Sequence, residues 1–172
     1  MGSRIANSAT TFIMSVRTDL VKEYVALGPR QLKSIMERRG YLKDQIDQMG
    51  RVLGKILADF LGLKSQGMVN QGIEISNEQL KSELDLDVEE LLSLNKSDMI
   101  EHLEGKKMTA EHLEILASYL HEVGEVEFHH KNEHAKTYLN AALKLLDHLD
   151  EGSRTYSIER SNRRSIIKDM LH

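Results

Sequence analysis

The chain has 172 residues, 40% hydrophobic and 29% charged, with one proline, Pro29, and no cysteine. That length suits one domain with a real core; the missing cysteines exclude disulfides and thiolate metal sites and suit a reducing, cytoplasmic compartment. A net charge of −4 counts against a general nucleic-acid binder, and no stretch is long and apolar enough to span a membrane.

In chain order, residues 1–7 read as a loose arm without a signal peptide's continuous apolar run behind it. Residues 8–27 form an amphipathic helix through Phe12, Val16, Leu20 and Tyr24. Gly28-Pro29 breaks it, because proline disfavours helix in the residue before it and suits a helix first turn. A short basic helix is expected over Arg30 to Arg39, and residues 1–35 read as an N-terminal helical appendage to a domain at 36–172. The next helix, Tyr41 to Leu63, places Leu42, Ile46, Met49, Leu53, Ile56 and Phe60 on one narrow arc. Gly50 and Gly54 sit on its rim, and each costs about 1 kcal/mol in a helix interior. Close approach by another helix is the offset expected; a ligand cleft over bare backbone is the alternative.

Three glycines at 62–72 predict a loop or helix end. Ser76-Asn77-Glu78-Gln79 fits a capping box that starts a helix through Leu80 and Leu84. Asp85 to Leu94 is acidic and leucine-rich, with Val88, Leu91 and Leu92 facing inward. Ser97 is the cap expected for a short helix ending near Gly105.

Thr109 to Leu149 reads as two helices joined by a tight turn near Lys131-Asn132. Thr109 is a suitable N-cap. Leu113, Leu116, Ala117, Leu120, Gly124 and Phe128 form one apolar stripe. Ile115, Tyr119, Val123 and Val126 form a second, so neighbours are expected on two sides. On the second helix Ala135, Tyr138, Leu139, Ala142, Leu146 and Leu149 share one face. Asn132 is the residue expected to take the left-handed conformation at the turn. A last helix spans about Ser157 to Leu171.

Ala135, Leu139 and Ala142 resemble the small, large, small positions of the second helix of a tetratricopeptide repeat. Gly124 lies near that motif's first-helix glycine, where a missing side chain lets the partner helix approach. Tyr119 stands nearest the motif's early aromatic, and its closing proline is absent. The run from Gly40-Tyr41-Leu42 through RVLGKILADFLGLK to LDEGSRTYSIER resembles a family of small bacterial all-helical, tetratricopeptide-like proteins of unknown function. The resemblance implies an all-α fold of stacked antiparallel helical hairpins. It carries no catalytic motif onto this chain. With one recognisable repeat, a closed stack or a homodimer is expected rather than an open superhelix.

The candidate chemistry is sparse. His129, His130 and His134 cluster at the turn with Glu125 and Glu127. Glu127 and His130 make the Glu-x-x-His spacing of di-iron carboxylate proteins, which need two such pairs. His121, Glu125 and His129, spaced by four, either converge on a metal or stand solvated on a polar face. Glu127 falls on the apolar stripe; Lys131, four residues on, is its expected salt-bridge partner, and a catalytic acid is the remoter reading.

Charge is uneven along the chain. Residues 67–152 hold 7 Lys and Arg against 19 Asp and Glu, a net −12. Arg160, Arg164 and Lys168 form a basic stripe on the last helix with Arg163 beside it. Such a stripe follows nucleic-acid phosphates or docks on the acidic middle segment, in the same chain or a second copy. No catalytic, cofactor-binding or metal residue is assigned. The function expected is a non-enzymatic protein–protein interaction module whose groove holds a peptide or helix. The alternative is a metal-binding or hydrolytic enzyme using the histidine and glutamate cluster near the turn.

Overall fold

Pro29 opens the first described helix of the computed structural model, in which residues 26–172 are described; the expected arm and nearly all of the helix expected at 8–27 lie outside them. Among the described residues there are seven α-helices and no strand. They are α1 (Pro29–Ser65), α2 (Val69–Leu84), α3 (Val88–Ser93), α4 (Lys96–Gly105), α5 (Ala110–His129), α6 (Ala135–Gly152) and α7 (Ile158–Leu171).

The first correction is that α1 is one helix of 37 residues, not two. Gly40 weakens a helix but removes no hydrogen-bond donor, so only proline would have forced a break. The helix runs unbroken through residues 35–36. Contacts divide the chain into two compact units between Asp44 and Gln45. None of residues 26–44 is buried. In the unit at 45–172, α1 contributes Leu53, Ile56 and Phe60 to the core, while Met49 is half-buried.

Helix ends explain most remaining boundaries. The α1 helix closes with Gly67 at φ +76, where Met68 N–H donates to Leu63 O at 2.9 Å and Gly67 N–H to Lys64 O at 3.0 Å. This pair of bonds is the Schellman closure, which needs a left-handed residue. The same closure ends α4 with Lys107 at φ +60 and α5 with Lys131 at φ +56. Lys131, not the expected Asn132, is therefore left-handed; Asn132 instead donates N–H to Glu127 O at 2.9 Å and accepts from His134 N–H at 3.1 Å.

The expected loop at 62–72 shrinks to a turn, because α2 already starts at Val69. Gly72 lies inside α2, where an added Cβ would meet the Phe60 ring at 3.2 Å and Leu63 Cβ at 3.3 Å. The capping box at Ser76 is consequently unused: Ser76 is buried mid-helix. Asn95 rather than Ser97 caps α4, accepting from Asp98 N–H at 3.0 Å. Asp87 caps α3 by accepting from Glu89 and Glu90 N–H groups at 3.0 and 3.2 Å. Thr109 is the N-cap of α5, as expected, and its N–H donates to Nδ1 of the buried His112 at 3.1 Å.

Helix α6 is the hub, contacting α3, α4, α5 and α7. Its entire expected face is buried, with Ala141 and Leu145 beside it. The α5 and α6 helices fold back on one another, so that Gly124, near the end of α5, meets Leu139, near the start of α6. The α6–α7 pair is antiparallel too: Arg160 reaches Asp150 at 2.9 Å and Arg164 reaches Asp147 at 2.6 Å. Both apolar stripes of α5 are used, except that Phe128 stands 39% exposed. Phe60 of α1 meets Tyr119 edge-on, ring centroids 5.4 Å apart. Fully burying one such large side chain is worth about 1.5–3 kcal/mol. The core is thus a run of interlocked stripes, as the sequence periodicity required.

Candidate functional site

Four helices leave a cleft of about 570 Å³ near the start of α6. Ile73 of α2 and Leu92 of α3 line it with apolar surface, and Tyr138 of α6 adds a ring. Its polar groups are Glu89 and Ser93 of α3, Glu127 of α5, Thr137 of α6 and His134 just before it. The Asp87 cap fixes where α3 begins, and hence where Glu89 and Leu92 point. Ser93 is occupied locally, donating to Glu90 O at 2.6 Å. Between α5 and α2, Tyr119 donates to Asn77 Oδ1 at 2.8 Å. Burial pushes the Tyr138 phenol up, and the charges of Glu127 and Glu89 add to the effect.

The structure sorts the histidine and glutamate cluster into separate places. Glu127 and His134 line the cleft. His129 lines a different depression, about 640 Å³, with Phe128, Lys131 and Asn132. His130 caps the end of α5 and is exposed. Glu125 is committed elsewhere: Lys64 Nζ of α1 donates to it at 2.9 Å and to Glu122 at 2.7 Å. Among the described residues, no group of three or more His, Cys, Asp or Glu is placed to hold one metal ion.

Two expectations about this cluster are corrected. Glu127 is buried, 6% exposed, but forms no salt bridge with Lys131. The i, i+4 pairing presumes that the helix continues; α5 ends at His129, and the left-handed Lys131 leaves the helical phase. His121, on the face expected to be solvated, is only 7% exposed. Its Nε2 is buried without a hydrogen-bond partner. Burial holds the imidazole below its ordinary range, against the pull of Glu122 and Glu125.

Arg160 and Arg164 of the α7 stripe are spent within the chain, while Lys168 is exposed. Arg160 pairs with Asp150 at 2.9 Å and Glu114 at 3.6 Å; Arg164 pairs with Asp147 at 2.6 Å and Asp150 at 2.7 Å. Arg163 donates to Ser118 Oγ and pairs with Glu159 at 3.3 Å. Arg160 and Arg164 thereby dock on the acidic middle segment, one of the outcomes the charge pattern allowed.

Sequence reasoning missed Ile73, Glu89, Ser93 and Thr137 as cleft residues. They come from three helices, and although Glu89 and Ser93 share a face of α3, no spacing within one helix brings Ile73 and Thr137 to them. No helix among the described residues is long and apolar enough to cross a membrane. No known protein family, curated protein or solved structure matches this chain.

Proposed function

We propose that this chain is a non-enzymatic interaction module, a tetratricopeptide-like stack of helical hairpins acting in the cytoplasm, whose cleft holds a segment of another protein or of a second copy. The observation that carries the reading is the cleft itself: apolar walls from Ile73, Leu92 and Tyr138 with a few convergent polar groups. Concave apolar sites with sparse polar anchors are the usual form of a binding site. The hairpin reading is supported by the close α5–α6 contact at Gly124 and by the antiparallel ion pairs between α6 and α7. Nucleic acid is disfavoured because Arg160 and Arg164 are engaged by Asp147 and Asp150.

A photo-crosslinking residue at Thr137, which is exposed on the cleft wall, tests the reading in cells. The expected result is a discrete protein adduct that disappears when Leu92→Arg fills the cleft. Absence of any protein adduct contradicts the module.

A further inference from the structure

Glu127 has no partner where its helix neighbours have theirs. On α5, Glu122 and Glu125 share Lys64, and Glu114 meets Arg160. Each of those acids is more exposed than Glu127, which is 6% exposed. Yet the Glu127 carboxylate makes no hydrogen bond or ion pair with any described residue, and it lines the cleft. The carboxylate lines the cleft without a donor, so an arriving cation meets an acceptor that no other group holds. The rest of the cleft suits the stem that would carry such a cation. Ile73, Leu92 and the Tyr138 ring offer apolar surface to a methylene chain. The Tyr138 face also attracts a cation. Glu89, exposed on the opposite wall, supplies a second negative charge.

We propose that the cleft receives a lysine or arginine side chain from an extended or helical segment of a partner protein, with its charged end on Glu127. This deepens the interaction-module reading and rests on it. A protein segment is favoured over a free amine by the surroundings. Glu90 beside Glu89 on α3 and Glu133 at the α5–α6 turn are exposed acids. Residues 67–152 carry a net −12. A free amine uses Glu127 alone, whereas a basic segment also meets Glu89 on the cleft lining and Glu90 next to it in α3, and such charges speed and orient encounter.

Fluorescence anisotropy with the full chain tests this, using a short labelled peptide of leucine and lysine and its twin with every lysine replaced by glutamine. The lysine peptide should bind saturably at low salt and more weakly as salt rises. The glutamine twin should bind at least about tenfold more weakly. Glu127→Gln should cost the lysine peptide about tenfold and leave the twin unchanged. Thr137→Arg, on an exposed position and so safe for folding, should place a guanidinium in the cleft and compete with the peptide. Equal binding of both peptides, or unchanged binding by both variants, overturns the cation proposal and leaves the module standing. No saturable binding of the lysine peptide overturns it as well. The module falls only if the Thr137 crosslinker also finds no protein.

Discussion

Leu139 occupies the space that a side chain on Gly124 would need. A Cβ there would lie 2.8 Å from Leu139 Cγ and Cδ2 and 3.1 Å from the Leu139 backbone nitrogen. The side chain can shift; the backbone of α6 cannot without moving the hub of the fold. Gly124→Ala should therefore lose up to about 2 kcal/mol in urea unfolding, since contacts this short put the overpacking strain toward the upper end of about 1–3 kcal/mol, against a helix-propensity gain of about 1 kcal/mol. Gly54→Ala is the control. Nothing lies within 4 Å of its added Cβ, so it should gain up to about 1 kcal/mol. A stabilised Gly124→Ala protein would disprove the close approach.

At the α5–α6 turn, Lys131 holds a backbone conformation that costs a non-glycine residue about 1–2 kcal/mol. Lys131→Gly should raise stability by about 1 kcal/mol by chemical denaturation. Asn132→Gly should lower it, because the Asn132 side chain accepts from His134 N–H. The reverse ranking would place the left-handed residue at Asn132.

These two sites show what the sequence disclosed and where it stopped. Apolar periodicity within each helix is local information, and the faces read from it are the buried faces of α6 and much of α5. Gly124 was legible as a contact glycine because the neighbouring helix follows at once in the chain. Gly50 and Gly54 looked equivalent, yet only Gly50 is covered: an added Cβ would meet His112 Nε2 at 3.2 Å. The covering residue lies far along the chain, and nothing near Gly50 announces it. Ser76 failed as a cap for the same reason, since the packing of Gly72 on Phe60 sets the start of α2 earlier. Glu127 was correctly read as inward-facing, but its pairing was not, because Lys131 turns at the end of α5.

Acid should expose the burial of His121. Its imidazole is held below the ordinary histidine value of 6.5 by burial, so the unfolded chain takes up a proton before the folded chain does. Stability contributed by the neutral ring is present above pH 6.5 and falls as pH drops below it. The groups facing His121 are Lys64 of α1, Glu122 and Glu125 of α5 and Arg163 of α7. A hydrogen bond from Lys64 lowers the Glu125 carboxyl from 4.5, so its own loss comes only below that value. Unfolding free energy against pH should therefore show an earlier decline in the wild type that His121→Phe flattens. Identical slopes just below pH 6.5 would place His121 in solvent.

The α6–α7 ladder should matter more than an ordinary surface ion pair. The Arg160 side chain is 11% exposed and faces both Asp150 and Glu114. Arg160→Met should cost about 1 kcal/mol, because Glu114 loses its cation while Asp150 keeps Arg164, and combining it with Asp150→Asn should recover part of that loss. A strictly additive double-mutant cycle would mean that the pair is solvated.

As proposed, Glu127 anchors a partner's cation in the cleft and is not a passive core residue. Carboxyl-carbon NMR during titration with the lysine peptide reads this most directly. The account predicts that the Glu127 carboxyl resonance moves with bound fraction while those of Glu122 and Glu125, already held by Lys64, stay fixed. A saturable interaction that leaves the Glu127 resonance in place would contradict it.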